Sequence, residues 1–206
     1  LGHFELTAQL QGTRNSLLLD NASIRMDDSS FTGKLGIRNL EQGALLAHLT
    51  ADQLNMDSYL PPTAPVKKPA KSAATSPPSS DLPPAIPSGN PWDDSELLPL
   101  NELAALNLEL HLAFDRLTLE KLPFENVKLK LDAHNGKLDL KQFEARLYGG
   151  SIASSGTLDS NAEPARISMH NTIDQLPVDR LLSALGEEAP ITGKLKLDSQ
   201  LSTSGQ

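Results

Sequence analysis

The sequence predicts a mainly β fold: a curved, groove-like antiparallel β-sheet meander of two related halves, with one or two short helices. Three observations point to it. Apolar and polar residues alternate at period two over most of the chain. Short turns containing Gly and Asn separate the alternating stretches. The pattern also recurs at offsets of 121 and 122 positions. Such strands form a sheet with one apolar and one polar face, and a closed β-sandwich is the alternative fold.

The clearest strands lie within residues 124–159, where three alternating stretches follow one another. Asn135-Gly136 separates the first two stretches and fits a type I′ turn, which needs positive φ at both central residues. Gly149-Gly150 makes the next reversal. The alternation shifts by one residue at Lys141-Gln142, which predicts a β-bulge that bends and twists the strand.

The first 60 residues repeat this design. Leu17 to Met26 aligns with Leu138 to Leu147, and both stretches shift phase at the same point, so the same β-bulge is predicted in the first half. The segment from Asp52 to Asp57 likewise matches the segment from Asp174 to Asp179. These matches indicate an internal repeat.

Two short helices are predicted at the ends of the halves. Pro177 suits a first helical position and Gly186 a helix end, which predicts a helix from about Pro177 to Leu185. A shorter counterpart is expected near Asp57 to Leu60.

The remaining chain divides into strands and an insert. We assign residues 1–60 to the first β repeat, 61–96 to a disordered insert rich in Pro, Ala, Ser and Lys, and 97–206 to the second β repeat. Residues 98–106 are too few for a stable isolated helix, so we expect a helical turn that docks on the sheet. A phase shift at Asp115-Arg116 predicts another bulge.

Composition excludes some functions. The net charge is −8, with 26 acidic and 18 basic residues and no concentrated basic patch, so we expect no nucleic-acid partner. The absence of cysteine excludes disulfides and thiolate chemistry but does not decide the compartment. No apolar run reaches the length of about 18 residues typical of a membrane span. Because the chain starts at Leu1 and ends in a strand-like stretch, we interpret it as a fragment.

No catalytic, metal or cofactor site is expected from the motifs. His48 and His170 are repeat equivalents on the polar sides of their strands, without acidic or histidine partners at motif spacing. The repeated aspartates, such as Asp57 and Asp179, are explained by helix capping and the helix dipole. No nucleophile elbow or phosphate-binding glycine loop occurs. We therefore predict that the chain is not an enzyme.

The sequence resembles the repeat of the AsmA family of bacterial envelope proteins. The resemblance rests on Arg146 to Gly150, followed by a Ser-x-x-x-Ser-Gly-x-Leu-Asp pattern from Ser151 to Asp159. It extends through Pro164 to Leu182 and into Ile191 to Asp198. It implies a periplasmic, largely β protein that is tethered to the inner membrane by a helix outside this fragment. Larger relatives are associated with moving lipid towards the outer membrane along a hydrophobic groove.

We therefore expect a non-enzymatic groove segment that binds or transports phospholipid or another acyl-chain lipid and contributes to outer-membrane assembly and envelope lipid homeostasis. The few helices cannot cover the apolar face, and small or polar residues such as Ala47, Ser154 and Asn171 leave space on it. The alternative is a structural or scaffolding envelope module with a filled core and no bound lipid. Expected partners also include flanking repeats of the same parent chain at the sheet edges, and envelope membrane proteins. The predicted groove lining is Leu108, Leu110, Leu112, Phe114, Val127, Leu129, Leu131, Leu138, Leu140, Phe143, Leu147, Ile152, Ile167 and Met169.

Overall fold

The strands form one open sheet. The computed structural model describes residues 3–59, 106–186 and 191–204. Ten strands lie side by side in chain order, so the predicted mainly β meander is confirmed. The strands are β1 (Phe4–Gly12), β2 (Leu17–Met26), β3 (Ser29–Asn39), β4 (Ala44–Asn55), β5 (Leu108–Leu119), β6 (Leu122–His134), β7 (Lys137–Leu147), β8 (Gly150–Asp159), β9 (Arg166–Pro177) and β10 (Lys194–Ser204).

The sheet is mixed because the two halves meet in parallel. Neighbouring strands pair antiparallel throughout, except that β4 pairs with β5 in parallel. Parallel neighbours need a crossover of a dozen or more residues, and the long connection between Asn55 and Leu108 supplies that length. The prediction of an antiparallel meander therefore holds within each half and needs one correction, at the junction between them.

The tight turns follow their sequence signals. Asn135 and Gly136 have φ values of 50° and 70°, as predicted for the turn between β6 and β7. The next reversal uses Tyr148 and Gly149, at φ 51° and 84°, and Gly150 already begins β8. Asp27, the repeat equivalent of Tyr148, also has φ 51°. The two halves therefore share turn geometry as well as sequence.

Two predicted bulges are confirmed and one is wrong. The register between β7 and β8 shifts between Leu140 and Phe143, and that between β2 and β3 shifts at the repeat-equivalent position. At Asp115-Arg116 the register of β5 continues without a shift against both neighbours. Strand β6 changes phase at the position that faces this shift, where Asn126 has φ 50°. Because both strands change phase together, the residue pairs on either side keep the same register.

The short helices occupy the predicted places. Helix α1 runs Val178–Ala184 with Pro177 as its N-cap, and Gly186 follows it with φ 81°. Its counterpart in the first half is a 3-10 helix, Met56–Ser58. Within the described ranges, no helix has the length and apolar character needed to cross a bilayer.

The predicted insert, 61–96, lies outside the described residues, as do residues 98–105 of the predicted helical turn. The strands of the first half, β1 to β4, and those of the second, β5 to β10, form one continuous sheet.

Candidate functional site: the apolar face of the sheet

The strand register lines up apolar residues across the whole sheet. Residues directly opposite each other on neighbouring strands project to the same face. One row of successive partners therefore crosses all ten strands on one side, which we call the apolar face. This row is Leu10, Leu19, Leu35, Ala47, Leu110, Leu131, Leu140, Gly156, Met169 and Leu201.

The register brings the predicted lining residues to this same face. Leu112 lies opposite Leu129, and Leu129 lies opposite Phe143. Because side chains alternate along a strand, the other predicted lining residues fall on the same side once the bulges are taken into account. Pairs further along confirm the pattern: Leu108–Ala133, Phe114–Val127, Ala133–Leu138, Leu138–Leu158, Ala145–Ile152, Leu147–Gly150 and Leu158–Ile167.

Most of this face is only half-buried. Among the predicted lining residues, Val127 and Leu147 are buried, with exposed fractions of 3% and 2%. The others are partly exposed. Towards the outer strands exposure rises, to 66% at Leu10 and 60% at Leu201. A closed sandwich needs a second sheet over these side chains, and the described residues form a single sheet.

Aromatic residues join the two halves on this face. Ala51 of β4 lies between Phe31 of β3 and Phe114 of β5 in the register. The two rings meet edge to face across the small alanine, with centroids 6.5 Å apart and planes at 88°. The contact makes the apolar face continuous across the parallel junction.

Two polar residues on this face are paired with each other. The Ser154 hydroxyl donates to Asn171 Oδ1 at 2.8 Å, and the two residues lie opposite each other on β8 and β9. Pairing removes the cost of leaving either group unsatisfied beside apolar neighbours. These short side chains are those that the sequence analysis took as a sign of space on the face.

The opposite face carries a cluster that sequence reasoning missed. His48 of β4 and His111 of β5 are register partners, and their rings stack with centroids 4.0 Å apart and planes at 9°. His48 Nε2 lies 2.7 Å from Glu109 Oε1. Arg38 donates to the other oxygen, Glu109 Oε2. Burial, and next the charge of nearby His48, hold the pKa of His111 below its ordinary value.

Spacing along the chain could not reveal this cluster, because Glu109 is 61 positions from His48. Only the parallel register brings them together. The repeat equivalent, His170, has a simpler setting, with its Nε2 lying 3.1 Å from Asp198 Oδ1.

The repeated aspartates have structural contacts, although one differs from the expectation. Asp57 accepts from the backbone N–H groups of Glu120 at 2.6 Å and Lys121 at 2.8 Å. It therefore holds the turn between β5 and β6, where both residues have positive φ, and the capping oxygen of its own 3-10 helix comes from Asn55. The expectation that capping explains Asp57 is corrected accordingly.

Asp52 also binds backbone groups. Its carboxylate accepts from the N–H groups of Ser30 at 2.9 Å and Gln53 at 2.6 Å. The hydrogen bond from Ser30 is the main cause that lowers the pKa of Asp52 below its ordinary value. This arrangement ties the end of β4 to the start of β3.

Comparisons with known proteins converge on one family. The model of the AsmA family matches residues 1–206. Protein AsmA of Escherichia coli (strain K12) is 22% identical over 201 residues, which cover 98% of this chain and 32% of that protein. The chain thus spans about a third of the length of this curated relative. No solved structure matches the chain.

Proposed function

This chain belongs to the AsmA family, and we propose that it is a non-enzymatic segment of a lipid-binding and lipid-transport groove in the bacterial envelope. The proposed ligand is the acyl portion of a phospholipid or a related lipid. The proposed contribution is to outer-membrane assembly and envelope lipid homeostasis.

The observation that carries the proposal is the apolar row across ten strands, over which the described residues place no second sheet. Strands lie about 4.8 Å apart, so the row is about 43 Å long. That exceeds the thickness of one bilayer leaflet's hydrocarbon layer, about 15 Å. An acyl chain lying along the face would gain about 0.8 kcal/mol for each CH₂ group it buries.

The edges of the sheet support a longer groove. On the outer sides of β1 and β10 no further strand pairs within the described residues. Exposed apolar side chains, Phe4, Leu10 and Leu201, lie on these two strands. An edge strand has unpaired backbone N–H and C=O groups, which can pair with a further strand. We propose that flanking repeats of the same parent chain pair there, since the curated relative is about three times longer.

The proposed location is the periplasm, with a tether to the inner membrane supplied by a helix outside these 206 residues. Family membership supports an envelope location. Envelope membrane proteins are proposed as further partners. The non-enzymatic role agrees with the contacts of Asp52 and Asp57, which bind backbone groups of neighbouring turns.

The proposal is tested by site-specific photo-crosslinking in cells. A photoreactive amino acid at Leu131 lies on the apolar face, while one at the adjacent Lys130 lies on the opposite face. We expect phospholipid adducts, identified by mass spectrometry, from the first position and not from the second. Equal labelling at both positions, or none at Leu131, would refute the groove and favour the scaffolding module with a filled core.

A further inference from the structure

A second site lies on the polar face, at the junction of the two halves. It consists of His48, Glu109 and His111, which we call the His–Glu cluster. One ligand atom from each residue lies within 4.8 Å of the others, and all three side chains are half-buried. Two imidazoles and a carboxylate that converge in this way form a donor set typical of zinc sites.

We propose that the His–Glu cluster binds one Zn²⁺ ion, which clips strand β4 to strand β5. In a tetrahedral site with bonds of about 2.0–2.1 Å, donor atoms lie about 3.3 Å apart. Because no two of these donor atoms are more than 4.8 Å apart, the most distant pair needs to approach by at most about 1.5 Å, a change that side-chain rotation provides. The stacked rings must tilt apart so that both nitrogens point at the ion.

The surroundings of Glu109 favour this arrangement. Arg38 holds Oε2, which leaves Oε1 directed at His48. A hydrogen bond to the second oxygen of a ligating carboxylate orients it, as outer partners do in zinc sites. The guanidinium therefore positions the ligand and does not compete for the same oxygen.

A neighbouring carboxylate adds negative charge beside the cluster. Asp132 lies directly across from Glu109 on β6. Among the described residues its Oδ1 atom is buried without a hydrogen-bond partner, while Oδ2 binds Lys141. Buried carboxylate oxygens are ordinarily hydrogen-bonded to a protein donor or to an ordered water. The Asp132 carboxylate is not among the three converging donors, so its suited role is to hold a water in the fourth position and not to bind the ion itself.

Besides Arg38 and Lys141, which pair with Glu109 and Asp132, two lysines on neighbouring strands oppose a bound cation. Lys34 lies opposite His48, and Lys130 lies opposite His111. Both side chains are long, and their ammonium groups can extend away from the cluster into solvent. Glu109 and Asp132 offset this repulsion at short range.

The position of the ion gives it a structural role. His48 belongs to the first half, whereas Glu109 and His111 belong to the second, beyond the long connection. An ion that binds the folded sheet more tightly than the unfolded chain stabilises it by mass action. Zn²⁺ would therefore act as a crosslink between the halves.

Imidazole NMR on the purified, chelator-treated protein tests the assignment. Addition of one equivalent of zinc sulfate should shift the ring signals of His48 and His111 and leave those of His170 unchanged. A lack of response, or shifts confined to His170 or the remaining histidines, would overturn the proposal. Broadened or shifted ring signals of His48 and His111 with Ni²⁺ or Cu²⁺, but no response to Zn²⁺, would overturn the choice of ion, because these ions also prefer imidazole.

Thermal melting of variants gives the second measurement. Zinc at about 100 times its Kd should raise the melting midpoint of the parent protein by about 5–10 °C, and EDTA should reverse the rise. His48→Asn and His111→Asn should each remove the shift. His170→Asn, the repeat-matched control, should keep it. A shift that persists in the first two variants, or disappears only in the control, would contradict the proposal. The NMR experiment decides the question even if a variant fails to fold.

Discussion

Replacement of Leu129 by Asp distinguishes an open apolar face from a closed core. Leu129 lies on β6 between Leu112 of β5 and Phe143 of β7, and its side chain is half-buried. The introduced carboxylate would stand among apolar neighbours, with solvent still reaching it from above the sheet. We expect Leu129→Asp to stay folded and to lose apolar ligand.

The expected loss of stability follows from this half-burial. Full burial of a leucine side chain contributes about 1.5–3 kcal/mol, so a half-buried one contributes about 1 kcal/mol. The lower strand propensity of Asp adds less than about 1 kcal/mol. Together they lower the free energy of unfolding by about 1–2 kcal/mol. A fully buried, unpaired carboxylate would instead cost more than about 4 kcal/mol.

Leu129→Asp should also weaken ligand binding, by a large factor in Kd. A ligand chain that crosses Leu129 would lose contact for two or three CH₂ groups, about 2 kcal/mol, which corresponds to about a thirtyfold weaker Kd. Urea denaturation, followed by circular dichroism, measures the stability, and titration with a fluorescent fatty acid measures the binding.

Ala113→Asp is the matched control. Ala113 lies on β5 next to Leu112 but on the polar face, opposite Lys128. The same acidic side chain there should leave fatty-acid binding unchanged and cost less than about 1 kcal/mol of stability. A Leu129→Asp protein that binds like the parent would remove Leu129 from the lining. One that unfolds outright would show that the face is covered.

Three further predictions concern the rest of the chain. Asp57→Ala should lower the free energy of unfolding by about 1–3 kcal/mol in urea titrations, because two backbone N–H groups lose a charged acceptor; an unchanged midpoint would contradict this role. Asp52→Asn should cost less than about 1 kcal/mol at pH 7, since the group is exposed. Because the folded pKa of Asp52 is lowered, its contribution to the free energy of unfolding is present above the unfolded pKa of about 3.9 and is lost as pH falls through the folded pKa. The difference in stability between variant and parent should therefore disappear in that range. A difference that persists at lower pH would exclude this cause. Replacement of 63–90 by a short Gly/Ser linker should shift the melting midpoint by less than about 2 °C, because the remaining connection still exceeds the dozen residues that a parallel crossover needs; a large drop would reveal structure in that segment.

Local sequence chemistry was sufficient to predict strands, turns and the helix at Pro177. The Asn135-Gly136 turn needs only the tolerance of those two residues for positive φ. The bulges show where such reasoning stops. The phase shifts at Lys141-Gln142 and Asp115-Arg116 look alike in sequence, but only the first displaces the register between neighbours. A bulge is a property of two paired strands, so one strand's pattern cannot define it.

The parallel junction was beyond sequence reasoning for a different reason. The alternation of apolar and polar residues determines which side chains share a face of one strand. It does not determine whether that strand runs parallel or antiparallel to a neighbour reached through a long connection. That the predicted lining residues share one face was predictable, because side chains alternate at period two in parallel and antiparallel strands alike. The proximity of His48 to His111 was not, because it depends on the direction and register of β4 against β5.

Both candidate sites depend on that register. Ala47 lies opposite Leu110 on one face, and His48 lies opposite His111 on the other. A slip of one residue would move the whole apolar set of β5 to the polar face and carry His111 onto the apolar face. In a hairpin the turn fixes the register, but no tight turn joins β4 to β5. A Zn²⁺ ion held by His48 and His111 would favour the pairing that brings these two residues opposite each other, and it would therefore help to preserve the continuity of the apolar face at the junction of β4 and β5.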